Sequence, residues 1–512
     1  LISTVTVRRD TYLDSVIQLA GTRAMRLVEG VDWATAAMAT PLNLETLAGE
    51  GFTGDELAGA GANDLVIAVR AESDAAVDAA HEAGERAMFA ERADAAEDTD
   101  RRPARSLTEA FDRAPDSNVA VVSVPGDYAA LAAHQALTAG LHVLLFSDNV
   151  SVADEVALKD RAAGLGLLVM GPGAGTAMLG GTCLGFANVV SPGPVAVVAA
   201  AGTGAQEAAS LLDRWGVGVS HVIGLGGRDL TAQVGGRMAR QALAALADDD
   251  RTELVLLVSK PPAPEVAREV LRASGGKRLV ASLIGLRDKP PVPDGVVVAD
   301  TLETGVLRTL EVLGHPAPGV TGGLAGRVAE VSAGLAAERT LVRGLFSGGT
   351  LCYESLVILG RVLGPVHSNT PLRPELGLPA PPHSHQCLDL GEEEYTKGRP
   401  HPMIDPEARI EHLREQAADP EVAAIILDVV LGHGSHPDPA AELAPLCREI
   451  TAAGGPAVVT YVLGTAGDPQ GWADQRAAFT AAGCLVAETA ARASLAAAAI
   501  ARREPEIAET VL

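Results

Sequence analysis

Pro194-Val195-Ala196-Val197-Val198-Ala199-Ala200-Ala201-Gly202-Thr203-Gly204-Ala205-Gln206 is the stretch on which the fold turns. An unbroken apolar run with no polar alternation describes a strand buried on both faces. Small residues and glycines then bend the chain, and a helical pattern begins at Gln206. A strand–glycine–helix unit aims several N–H groups at one spot, where the helix dipole adds about half a positive charge. Gly202 permits the bend, Gly204 lets an oxygen approach the backbone, and Thr203 supplies a hydroxyl. Tight packing of helix on strand asks for the same residue types, so anion binding and packing both stand at this point. No lysine follows the glycines, which excludes a Walker A loop, and the full GxGxxG pattern is absent.

Working outward, the plan repeats. Leu341 to Phe346 leads into Ser347-Gly348-Gly349-Thr350 and a helix from Tyr353. Asp248 to Val258 lies over Ala418 to Val429, and Ser274 to Gly285 over Ala453 to Gly464, which predicts a domain duplication. Upstream, strands at Asn118 to Val124, His142 to Phe146 and Leu167 to Met170 alternate with helices at Asp127 to Ala139 and Ser151 to Ala163. That alternation requires a parallel sheet with right-handed crossovers. Before it, short strands at Thr4 to Arg8, Trp33 to Thr40 and Asp64 to Arg70 precede a helix at Ser73 to Phe89, and Glu91 to Arg105 is charged without periodicity. The predicted organisation is a small α/β domain (1–90), a linker (91–105), a parallel α/β domain (106–191) and two related α/β domains (192–335 and 336–512).

With 512 residues, 47% apolar and only 3% aromatic, Ala, Val, Leu and Gly fill the cores. The net charge of −25 repels phosphate backbones and anionic leaflets, so neither nucleic acid nor membrane is an expected partner. Cys183, Cys352, Cys387, Cys447 and Cys484 are scattered without CxxC spacing, so neither a disulfide framework nor a metal site is expected. No apolar run reaches the ~18 residues of a membrane span. Residues 1–10 read as a strand bearing Arg8 and Arg9, not as a signal peptide. A cytoplasmic enzyme acting on a small molecule is expected.

Four places carry candidate chemistry. The two glycine turns offer Gly202, Thr203, Gly204, Ser347, Gly348, Gly349 and Thr350 as phosphate ligands. Ile223-Gly224-Leu225-Gly226-Gly227-Arg228-Asp229 ends a strand at a carboxyl edge, where Arg228 suits a carboxylate or phosphate; the alternative is a tight loop with a surface ion pair. Asp389 to Pro406 is a proline-stiffened loop carrying Arg399, His401 and Asp405, with His401 as acid, base or phosphate partner; a solvated loop is the other reading. Asp428 to Asp438 follows a buried strand and contains His433 and His436, suited to substrate contact or to a structural role more than to metal; Lys260 stands at the corresponding spot of the earlier domain.

Asn118 to Thr176 resembles the CoA-binding part of the succinyl-CoA synthetase α subunit, on Val122-Ser123-Val124-Pro125, Ala139-Gly140 and Gly171-Pro172. The Gly202-Thr203 turn and Gly224 to Asp229 are similar to that subunit's ligase domain. On Leu145 to Val150, Leu168 to Pro172, Gly224 to Leu230, Val258 to Pro262, Gly344 to Thr350 and Gly398 to Pro406, the chain is identified as a member of the FdrA family of acyl-CoA synthetase-like proteins. The resemblance implies an α/β fold: a Rossmann-like CoA-binding domain, with Ser123, Val124, Pro125, Ser147, Asp148 and Asn149 at its cofactor edge, and two flavodoxin-like ligase domains. It also implies CoA as ligand, ATP or ADP only with a partner, and a homo-oligomer or hetero-complex. Departures follow: Asp294 to Gly305 lacks the phosphorylated histidine, and Gly173-Ala174 replaces Asn-Cys. Direct handling of an acyl phosphate suits such a site. The family's association with an oxamate carbamoyltransferase of allantoin breakdown makes carbamoyl phosphate, and carbamoyl transfer, the first expectation. An ADP-forming acyl-CoA ligase subunit is the alternative, and a non-catalytic CoA-binding scaffold the third.

Overall fold

In the computed structural model the chain divides into two compact units, residues 1–105 with 397–400, and residues 106–396 with 401–512. The structure describes residues 1–13, 15–54, 57, 59–95, 104–286, 291–396 and 399–512. Most of the predicted linker, 96–103, lies outside the described residues, as do 397 and 398 of the proline-stiffened loop. The helix expected over Ser73 to Phe89 runs from Asp74 to Ala95, into the stretch read as linker, because its Ala-rich composition sustains helix past the last apolar contact.

The first unit is built on an antiparallel sheet of β1 (Ile2–Arg8), β2 (Val31–Met38) and β3 (Leu65–Ala71), in the order β1-β3-β2. β3 is apolar on both sides and is covered on both. Met25 and Ala80, from the helices Ser15–Arg26 and Asp74–Ala95, pack with Ile67 and Val69, while Leu47 and Phe52 pack with Val66 and Ala68.

In the second unit β4 (Val119–Val122), β5 (His142–Leu145) and β6 (Val169–Met170) make a three-stranded parallel sheet. The hairpin β7 (Thr176–Leu179) and β8 (Thr182–Gly185) joins a larger sheet through antiparallel pairing with β10. That sheet contains β9 (Val195–Ala199), β10 (Val219–Gly224), β11 (Leu254–Ser259), β12 (Arg278–Leu283) and β13 (Val296–Ala299), in the order β13-β12-β11-β9-β10-β7-β8. The last sheet has β14 (Leu341–Phe346), β15 (Val366–His367), β16 (His385–Asp389), β17 (Val422–Val430), β18 (Ala457–Leu463) and β19 (Leu485–Ala487), in the order β15-β16-β14-β17-β18-β19. Setting the short β15 aside, five parallel strands run 2-1-3-4-5 in each ligase-type sheet, the flavodoxin-like order. The predicted duplication is thus visible in topology. Every residue of β9, β11, β14 and β17 is buried, as strands covered by helices on both faces must be. Among the described residues no helix is long and apolar enough to cross a membrane.

One correction concerns where the helices begin. They start at Gly202 and Gly349, not at Gln206 and Tyr353, so Gly202 to Gly204 form a first helical turn and not a loop. Glycine's poor helix propensity hides a helix start whose geometry is imposed by packing.

Candidate functional site

In a 2-1-3-4-5 sheet the strand order reverses between the first and third strands, and ligands settle outside the carboxyl ends there. In the first ligase-type sheet that crevice lies between β9 and β11, where the helix Gly202–Arg214 begins and Lys260 follows β11. In the second it lies between β14 and β17, where the helix Gly349–Val362 begins. The two helix starts meet. The Thr350 N–H donates to Thr203 Oγ1 at 3.4 Å. A Cβ on Gly348 would stand 3.0 Å from the Cβ of Thr203, and one on Gly204 2.8 Å from the Thr350 methyl. Only glycine allows this approach.

The two crevices differ in what fills them. The helix Gly202–Arg214 has no side-chain cap, and Gly202 is exposed while Thr203 and Gly204 are buried. Lys260 is half-buried with its ammonium 5.1 Å from the Tyr353 ring centroid, and no ion pair to it is seen among the described residues. The second crevice holds the chain's own carboxylate. Asp428 accepts the N–H groups of Ser347 and Gly348, both at 2.8 Å, and the Ser347 hydroxyl at 3.0 Å. Arg409 compensates its charge at 3.1 Å, with both side chains almost wholly buried. Ser347 and Gly348, expected to hold phosphate, therefore give their donors to Asp428. The pair of open cradles reduces to one, since an internal carboxylate satisfies helix-start donors as a bound anion would.

Asp389 closes the space between the crevices. Asn369 pins its backbone on both sides at 2.9 Å, its Oδ1 accepts the Gly391 N–H at 3.0 Å, and its Oδ2 lies against Gly349. Burial, with Glu392 adding to it, pushes its carboxyl up to about 7, against the pull of the Gly391 N–H and Lys260. His401 faces the same spot: a Cβ on Gly391 would stand 2.7 Å from its Nε2, 3.1 Å from Ser347 O and 3.2 Å from Asp389 Oδ1. Burial holds the His401 imidazole down at about 4, with Asp428 opposing and Arg409 assisting. The Met403 N–H donates to its Nδ1 at 3.2 Å, so the neutral ring carries its proton on Nε2. His401 is placed as a neutral donor.

The remaining predicted residues scatter. Asp405 accepts the Glu407 N–H at 3.0 Å and shapes the turn into the helix Glu407–Ala418. Arg399 falls in the first unit, so it is not carried on one body with His401 and Asp405. His433 is exposed, and its backbone bridges Ala187. Arg228 is engaged by Glu155 at 2.9 Å and by Val150 O at 2.7 Å, beside a buried Lys159 that contacts Glu155 at 2.7 Å and Asp229 at 2.9 Å. It fastens the three-stranded sheet's domain to the first ligase-type sheet. At the edge predicted for CoA, Ser123, Val124, Pro125, Asp148 and Asn149 are exposed, whereas Ser147 is buried and donates to Val124 O. Phe146, at the end of β5, stacks on Phe186 at 6.1 Å, and Phe186 lies 6.5 Å from His401, so aromatic rings line the way from that edge to the helix starts.

Arg409 escaped sequence reasoning, and Asp389 and Asp428 entered it only as the first residues of candidate segments, without the parts they play here. Asp428 had a signal: it is the one charged residue in the run Val422 to Val430, where a carboxylate must have a specific partner. Among the described residues no group of three or more His, Cys, Asp or Glu side chains gathers as a metal site would require.

Two family models match the chain: CoA-ligase over residues 345–500, and "AllF, heavy metal-associated domain" over residues 2–104. The uncharacterized protein YahF of Escherichia coli (strain K12) is 39% identical over 503 residues, 96% of this chain and 97% of YahF. Subunit alpha 2 of an ADP-forming succinate–CoA ligase of Archaeoglobus fulgidus is 32% identical over 184 residues, 35% of this chain and 62% of that subunit. The structure of PH0766 from Pyrococcus horikoshii OT3 aligns over 78% of this chain and 86% of its own at 15% identity, with a TM-score of 0.29. The first unit does not fit a bound heavy metal. Its matched residues contain no cysteine, and their one imidazole, His81, lies 3.3 Å from the Thr4 hydroxyl.

Proposed function

The chain belongs to the family of the uncharacterized Escherichia coli protein YahF and matches the CoA-ligase family over residues 345–500, and from that premise we propose that it works as the acyl-transfer subunit of an ADP-forming acyl-CoA ligase. The half-reaction is acyl phosphate plus CoA giving acyl-CoA and inorganic phosphate. A C–S bond forms as the acyl C–O bond breaks, and the thiol proton leaves with the phosphate or on a carboxylate. It needs neither ATP nor a phosphohistidine, which suits a chain with no histidine between Asp294 and Gly305. An ATP-using partner would supply the rest. Succinate–CoA ligase subunits among the relatives favour this order over carbamoyl transfer, the reading placed first on the sequence.

One observation carries the proposal: the uncapped helix start at Gly202 to Gly204 opens beside Lys260 at the switch point of the first sheet. Backbone N–H groups, the Thr203 hydroxyl and one ammonium make an anion site for the phosphate, preorganised by packing against the second helix. Asp389, titrating near neutrality, is suited to take the thiol proton. His401 donates from Nε2 and helps orient the acyl group. The exposed rim at Ser123 to Pro125 and Asp148 to Asn149 is the side from which CoA would reach in.

Incubating the purified chain with acetyl phosphate and CoA tests this. Thioester and phosphate should appear together without ATP, and Lys260→Ala should slow their appearance by roughly 10²-fold. Absence of thioester with any acyl phosphate, together with no phosphate binding, would remove the proposal. Turnover of carbamoyl phosphate without CoA would restore carbamoyl transfer.

A further inference from the structure

A cavity of about 560 Å³ opens at the amino ends of β4 and β5, between the three-stranded sheet, the hairpin β7–β8, β10 and the helix Arg237–Ala247. It lies away from the carboxyl-edge site. Val119, Leu168, Leu179, Leu184, Ile223 and Leu246 give it apolar walls. One corner is polar, formed by His221, Asp249 and Arg251.

The corner is built around Asp249. Its Oδ2 accepts the Thr252 hydroxyl at 2.7 Å and faces His221 Nε2 at 3.2 Å, and its Oδ1 accepts Arg251 Nε at 3.2 Å. The Gly180 N–H donates to His221 Nδ1 at 3.1 Å, so the neutral ring bears its proton on Nε2 and gives it to Asp249. Arg251 NH2 lies 3.0 Å from that same nitrogen, where no lone pair remains to receive it. Arg251 NH1 lies 3.1 Å from where a Cβ on Gly180 would stand, and Gly180 has φ +58°. A glycine thus clears room for the guanidinium, a carboxylate holds its Nε, and its two terminal nitrogens have no carboxylate or carbonyl acceptor among the described residues. The side chain is 63% exposed.

We propose that this cavity binds a small monocarboxylic acid, its carboxylate bridging the terminal nitrogens of Arg251 and its apolar tail lying along the leucine-rich walls. Planar guanidinium edges match carboxylates in this way. Asp249 already offsets the charge of Arg251 and His221 is neutral, so the corner carries no net charge: the two terminal nitrogens of Arg251 offer a monocarboxylate two directed hydrogen bonds, while nothing there balances a dianion such as phosphate. The volume suits a medium-chain tail.

Calorimetric titration of the full chain with octanoate, octan-1-ol and inorganic phosphate tests the site. Octanoate should bind better than either control. Arg251→Ala should weaken octanoate roughly tenfold or more and leave octan-1-ol unchanged. Ala245→Trp, an exposed position on the cavity wall, should weaken both. Lys260→Ala should bind octanoate like the parent, which separates this site from the proposed acyl-transfer centre. Equal octanoate affinity in the parent and Arg251→Ala, no octanoate binding at all, or tighter binding of phosphate would each overturn the proposal.

Discussion

A carboxylate inside an apolar strand must find donors within reach, and Asp428 finds two backbone N–H groups, a hydroxyl and the guanidinium of Arg409. Removing one partner of such a pair leaves the other buried and uncompensated, which costs about 3–5 kcal/mol. Replacing both with apolar residues of similar size costs much less. Urea unfolding of Asp428→Leu should therefore show a loss in that range, and Asp428→Leu with Arg409→Leu a smaller one. A single variant as stable as the parent would mean that water, and not Arg409, balances the charge. The residue scale is also where the sequence was least legible. Arg399, His401 and Asp405 are neighbours in the chain, yet Asp405 shapes a turn, His401 points its Nε2 toward Gly391, and Arg399 belongs to the other unit. A loop's proximity in sequence says little about where its side chains converge.

At the scale of elements, the two helix starts depend on the absence of side chains at Gly348 and Gly204. A methyl at Gly348 would meet Thr203 Oγ1 at 3.0 Å and Thr203 Cγ2 at 2.9 Å, so the helices would have to part. Gly348→Ala should cost about 1–3 kcal/mol in thermal or urea unfolding. It should also weaken inorganic phosphate binding at the site proposed on Gly202 to Gly204, because the first turn of that helix would lose its support. Lost stability with phosphate binding unchanged would show that the two helix starts act independently. Both glycine turns were readable as strand-to-helix junctions, since an unbroken apolar run followed by small residues has few other uses. That one cradle stays open and the other is filled could not be read, because Asp428 lies about eighty residues beyond Ser347.

At the scale of the whole molecule, the two ligase-type domains are joined through buried acids. Glu354, on the helix Gly349–Val362, accepts the Leu302 N–H of the first domain at 2.6 Å, and Tyr461 of the second donates to Glu207 of the first. Burial pushes Glu354 up to about 8 and Glu207 up to about 7, so the folded chain holds protons that the unfolded chain releases. Their contribution to stability is fully present below the unfolded carboxyl range, near pH 4.5, and is lost as pH rises through 7 and 8. Glu354→Gln keeps an acceptor for Leu302 and removes the titration. It should raise the melting temperature at pH above 8 and leave it nearly unchanged at pH 5. An equal shift at both pH values would remove Glu354 as the source of the pH dependence.

The sequence by itself determined the fold class, the duplicated ligase-type sheets and the glycine junctions, because apolar runs and small-residue turns act locally and specify strands and helix starts wherever they occur. Tertiary structure alone decided which helix start stays uncapped, which acids titrate near neutrality and which charged residues serve as fasteners. Those outcomes follow from charges meeting across strands distant in sequence, and from how deeply packing removes each group from water.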